Sequence, residues 1–115
     1  MAVKLAVVVR ADLGMGRGKI AAQVAHAAVA AVLARPAHDD LAAWLRDGQP
    51  KVVLKVTSAG ELHEVVQRAQ AAQLPVEVVS DAGRTQVRPG TVTCCALGPA
   101  GDQRIDAVTA GLPLL

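Results

Sequence analysis

Residues Leu5 to Val9 read Leu-Ala-Val-Val-Val, an unbroken apolar run closed by Arg10. A strand with no polar alternation cannot show either face to water, so this one belongs inside a sheet covered on both sides. That requirement restricts the chain to a layered α/β architecture. The rest of the pattern agrees. A loop with Gly14, Gly16 and Gly18 leads into a helix from about Met15 or Lys19 to Arg35, stopped before Pro36. Asp39 or Asp40 caps a short helix through Trp44 that Gly48 closes, and Lys51–Val56 forms a second strand. Ser58 and Glu61 make a capping-box signature opening a helix to about Gln73. Val76–Ser80 is a third strand, Asp81–Gly90 a polar loop and Thr91–Leu97 a fourth strand. Asp102 caps a last helix to Thr109, ended by Gly111.

The β-α-β rhythm predicts a single three-layer α/β domain over residues 1–115, with a mixed four-stranded β-sheet flanked by helices. Strands two and three are joined through a helix, as in a parallel crossover. Strands three and four have no helix between them and read as antiparallel neighbours. At 115 residues the chain supports one packed core, and 52% hydrophobic content rules out disorder. The apolar residues are nearly all Ala, Val and Leu, with no Phe or Tyr and only Trp44. A core so poor in large side chains leaves room for an apolar surface kept for a second copy, and a homodimer is an expectation on that ground. Trp44 and Met15 read as packing residues. Adjacent Cys94 and Cys95 point to opposite faces of a strand and cannot bridge one another; they read as small buried hydrophobes in a reducing cytoplasm. No apolar run approaches the roughly 20 residues of a membrane helix. The opening MAVKLAVVVR ends in Arg10 and reads as a strand, not a signal peptide.

Polar residues converge on one sheet edge. With strands one and three parallel, Arg10 and Asp12 leave the edge from which Asp81 also leaves, and an antiparallel fourth strand brings Thr91 and Thr93 there. On the first helix Lys19, Gln23 and His26 follow i, i+4, i+7 spacing and share a face, beside an apolar stripe of Ile20, Val24, Ala27 and Ala31. Phosphate motifs fail on spacing. Gly14 lies too close to Gly18 for a P-loop, Ile20 replaces its hydroxyl residue, and Gly16 and Gly18 are too close for a dinucleotide loop. What survives is a glycine loop near a helix N-terminus, with Arg17 and Lys19 able to hold an anion. His26, His38 and His63 are scattered, so no metal site is expected.

The string VVRADLGMGRGKIAAQVAHA resembles the N-terminal signature of type 2 peptidyl-tRNA hydrolases. The second stretch, VVSDAGRTQVRPGTVTCCALGP from Val78 to Pro99, resembles that family's D-x-G-x-T…P-G-T-x-T segment. Arg17 stands where many relatives carry Lys, which keeps the charge. The membrane segment of eukaryotic relatives is absent, which corresponds to a soluble, cytoplasmic form. The resemblance implies hydrolysis of the ester joining peptide to tRNA, with no metal or organic cofactor. It implies functional residues at Lys19, Asp81 and Thr93, with His26, Gln23, Arg10 and Asp12 nearby, and extends substrate contact to Arg17, Thr85, Arg88 and Thr91.

Ester hydrolysis needs an oriented water, a proton acceptor and positive charge where the carbonyl oxygen gains electrons. On this reading Asp81 orients or deprotonates the water, Lys19 holds Asp81 and steadies the oxyanion, and Thr93 positions water or substrate. A lysine beside Asp81 favours the carboxylate and weakens it as a base, so orientation counts for more than proton abstraction. His26 ranks second as base. The shortage of aromatics disfavours base stacking, so contact with tRNA falls on its backbone phosphates and acceptor end. Two other readings stay open: a non-catalytic RNA- or protein-binding module, and a hydrolase for another acylated substrate.

Overall fold

A computed structural model describes residues 2–82 and 87–115. Its centre is β1 (Val3–Arg10), and the sheet runs in the order β2-β1-β4-β3, with β2 at Lys51–Val56, β3 at Val76–Ser80 and β4 at Val92–Gly101. β1 pairs in parallel with β2 and antiparallel with β4, which is antiparallel to β3. β1 and β3 therefore run the same way, and the sheet is mixed as expected. β2 and β3 also share a direction but occupy opposite edges, so the helix between them crosses two strands.

The apolar run behaves as its pattern demands. Val3, Leu5, Val7 and Val9 enter one core, while Ala6 and Val8 enter the other. The first core is closed by α1 (Arg17–Ala34) and α2 (Asp39–Arg46) through Ala27, Ala31, Leu41 and Trp44. The second is closed by α3 (Ala59–Ala71) and α4 (Asp102–Thr109) through Leu62, Val65, Ala69, Ile105 and Val108. Three layers result. Trp44 lies in the core with its indole Nε1 donating to the Pro50 carbonyl at 2.7 Å, and Met15 packs in the same cluster.

Local corrections have plain causes. His38, not Asp39 or Asp40, caps α2: its Nδ1 accepts from the Asp40 amide at 3.0 Å. Gly101, not Asp102, is the N-cap of α4. The Ser58 side chain caps α3 as expected, but the Glu61 carboxylate reaches back to the Thr57 amide, one residue earlier than a capping box requires. β4 runs past Leu97 to Gly101 because the start of β1 offers it partners, Val3 opposite Gly101 and Lys4 opposite Ala100. Gly98 makes that extension feasible: its φ is +103°, and a Cβ there would lie 2.9 Å from both the Lys4 carbonyl oxygen and the Ala100 nitrogen.

Cys94 and Cys95 are fully buried on opposite faces of β4, one in each core. Burial pushes their thiols up from 9.0, to about 11 for Cys94 and about 12 for Cys95. Below pH 9 they are neutral in folded and unfolded chains alike. Above it the unfolded chain loses protons that the folded chain keeps, so their contribution to stability declines as pH rises toward the folded values. Two outcomes follow. Iodoacetamide at pH 8 should leave both cysteines unmodified in the native protein and modify both in urea; equal rates would contradict the burial. Gly98→Ala should destabilise the fold by about 2–3 kcal/mol in urea melts, because neither backbone neighbour can yield to the added methyl.

Candidate active site

Three elements meet at the carboxyl-end edge of β1 and β3. β1 ends in Arg10, whose guanidinium grips Asp12 in a fork (Nη2 to Oδ2 2.7 Å, Nε to Oδ1 3.2 Å) and donates to the Val92 carbonyl at 3.1 Å. These bonds tie the end of β1 to the start of β4, and the Arg10 hydrogen bond holds the Asp12 carboxyl below its ordinary range. β3 ends one residue before Asp81. Its amide donates to the Thr91 carbonyl and its carbonyl accepts from the Gly90 amide, both at 2.8 Å, so the backbone of Asp81 is fixed to the turn that re-enters the sheet.

α1 supplies the third element. Gly16 is its N-cap, after which Arg17 and Lys19 occupy the first turn with no acidic residue beside them. Cations there oppose the helix dipole. Asp81 answers one of them: Lys19 Nζ donates to Asp81 Oδ1, and the two side chains are only 10% and 5% exposed. One turn later Gln23, itself buried, donates through Nε2 to the Thr93 hydroxyl at 2.6 Å.

Thr93 owes its place to an irregularity. Val79 stands opposite Cys94 and Ser80 opposite Val92, which leaves Thr93 as an extra residue in a bulge. Both Thr93 and Cys94 then reach α1, since the Cys94 thiol donates to the Gln23 carbonyl at 3.6 Å. Sequence reasoning missed Cys94 in this setting. A bulge leaves no mark in a run of residues that all favour strands.

The expected residues are therefore partly assembled. Lys19 bonds to Asp81 and Gln23 to Thr93, with Arg10, Asp12 and Thr91 on the same edge. His26 is not among them: it is exposed on α1. It shares a flank of α1 with Lys19 but lies two turns farther along, about 10 Å from it on the axis. The face of α1 turned to the sheet is Gln23, Ala27 and Ala31, with Ile20 and Val24 half-buried on one flank. Gln23 thus stands in the apolar line, while His26 falls on the opposite, solvent flank. Thr93 is 0% exposed. Arg17 and Arg88 are exposed. Thr85 lies outside the described residues. Among the described residues, no three His, Cys, Asp or Glu side chains form a group that could hold a metal ion.

Comparison with known proteins identifies the family. A protein named peptidyl-tRNA hydrolase from Metallosphaera sedula is 55% identical over 97% of this chain and 99% of its own length. Another of the same name from Sulfurisphaera tokodaii is 48% identical over the full length of both chains. The solved structure of a protein of unknown function from Agrobacterium tumefaciens shares the fold, with a TM-score of 0.67 over 100% of this chain and 98% of its own at 16% identity. The sequence model of the PTH2 peptidyl-tRNA hydrolases matches residues 3–115, and the chain belongs to that family.

Proposed function

We propose that this chain hydrolyses the ester between a peptide and the 3′ oxygen of tRNA at the Lys19–Asp81 pair, releasing free tRNA and peptide. Membership of the family supports the reaction class. The placement of the reaction is carried by one observation, a buried lysine–aspartate pair beside the first turn of a helix that is doubly basic.

Asp81 orients a water against the carbonyl carbon and accepts its proton as the new C–O bond forms. Lys19 keeps Asp81 in place, and its ammonium faces the oxygen on which negative charge develops. When the tetrahedral intermediate collapses, the bond to the ribose breaks and the proton passes to the departing 3′ oxygen. Because the ammonium stabilises the carboxylate, Asp81 acts more through orientation than through basicity. The exposed His26 offers no better-placed base.

Arg17 and Arg88, exposed near this edge, are positioned to meet tRNA phosphates, and the positive end of α1 adds to the attraction. Arg10, Asp12 and Thr91 shape the edge on which the acceptor end rests, and Thr85 is assigned to the same contact on the strength of its motif. No helix among the described residues is long and apolar enough to cross a membrane, and the proposed substrate places the protein in the cytoplasm. A homodimer would cover the outer face of α1, where Val29 and Leu33 are exposed.

The test is hydrolysis of an N-blocked aminoacyl-tRNA with chelator present and the unblocked form as control. Asp81→Asn should lower kcat by about 10²–10⁴-fold with the circular dichroism spectrum unchanged; near-normal turnover would overturn the assignment. Affinity for tRNA should fall with salt, with a log–log slope of about −1.4 to −1.8 for two phosphates met by Arg17 and Arg88. A flat salt response would show that the contact is not electrostatic.

A further inference from the structure

The Thr93 hydroxyl is completely enclosed. Gln23 Nε2 lies 2.6 Å from it, the Val79 carbonyl 3.4 Å and the Cys94 sulfur 3.9 Å. The Gln23 amide fills an acceptor site on the oxygen, and the hydroxyl proton has the Val79 carbonyl as its acceptor. A group so enclosed is placed to hold its neighbours, and those neighbours stand one helical turn from Lys19 and two residues from Asp81.

We propose that Thr93 and Gln23, backed by Cys94, form a positioning clamp that fixes α1 on the sheet and thereby holds Lys19 against Asp81. This rests on the reading of that pair as the reaction centre. Two spacings give the clamp its leverage. Gln23 follows Lys19 by one helical turn, about 6 Å along the axis. Val79, whose carbonyl faces the Thr93 hydroxyl, precedes Asp81 by two residues along the same chain. The clamp and the ion pair are thus successive rungs between one helix and one strand end.

The bulge completes the device. Without the extra residue, strand alternation would send either Thr93 or Cys94 toward α3 and away from α1. With it, Thr93 meets the side chain of Gln23 while Cys94 donates to that residue's carbonyl, so a single helical residue is held at both ends. Thr93 and Gln23 are positioning residues on this account, and substrate contact falls to the groups in front of them.

A double-mutant cycle separates this from direct participation. The variants are Thr93→Val, Gln23→Met, both together, and Thr93→Ser, each assayed for kcat and KM on the N-blocked aminoacyl-tRNA below its melting temperature. Thr93→Val strands the buried Gln23 amide and should lower kcat about 10–100-fold with KM changed less than about threefold. In the double variant the shared bond is already lost and no amide is stranded, so kcat should be no lower than with Thr93→Val alone. Thr93→Ser keeps the hydroxyl and should retain most of kcat. A double variant slower than Thr93→Val by the full factor of Gln23→Met shows two independent roles and overturns the clamp. If Thr93→Val fails to fold, Gln23→Met decides: wild-type kcat overturns the proposal, and a fall in kcat at constant KM supports it. Failure of the wild-type protein to cleave the substrate at all would instead refute the functional reading.

Discussion

The ion pair between Lys19 and Asp81 joins parts of the chain 62 residues apart. It bonds the first turn of α1 to the residue that leaves β3, with both side chains nearly buried. Bringing two such charges out of water costs several kcal/mol each, and their attraction at an effective dielectric of 20 is about 4 kcal/mol at 4 Å. The pair is therefore a poor device for stability. An apolar pair of the same volume would serve a core equally well or better. What apolar residues could not supply is an ammonium and a carboxylate held in fixed register at the edge where the substrate ester is proposed to bind, and electrostatic stabilisation of a transition state needs that preorganisation.

The remainder of the fold keeps that edge rigid. β1 is buried on both faces and paired on both sides, so its end cannot shift without disturbing two cores. Arg10 then spends its charge on Asp12 and on the Val92 carbonyl, which locks the mouth of β4 to β1. Asp81 is locked in turn by its two backbone bonds to the turn at Gly90 and Thr91. Each strand that feeds the site ends in a hydrogen bond to its neighbour.

Much of this was legible in the residues because it depends on period and on punctuation. The apolar run at Leu5–Val9 announced a doubly covered strand, and the bounds of β2 and β3 follow from the switch between apolar residues and glycine, proline or serine. The convergence of Arg10, Asp81 and Lys19 on one edge follows from strand direction alone. What could not be read was set by tertiary contact. The bulge at Thr93 depends on the register between β3 and β4, and the extension of β4 depends on Val3 and Lys4 a hundred residues away. The face of α1 was misjudged for a related reason. Gln23 looks polar in a sequence, yet its amide has a buried partner that only β4 can supply.

That misjudged face explains why polar contacts are needed there at all. Between Lys19 and Arg35 the helix carries no charged residue apart from what His26 contributes when protonated, and its sheet-facing line is two alanines beside Gln23. Small, nearly uniform side chains pack well in several registers, since sliding or turning the helix exchanges one alanine or valine for another at little cost. A buried polar contact is far more selective, because a misplaced amide or ammonium forfeits its partner and keeps its desolvation penalty. Two such contacts one turn apart fix both rotation and translation. The register that places Lys19 against Asp81 is thus specified by the Gln23–Thr93 bond together with the ion pair, while the alanines beneath supply attraction without direction.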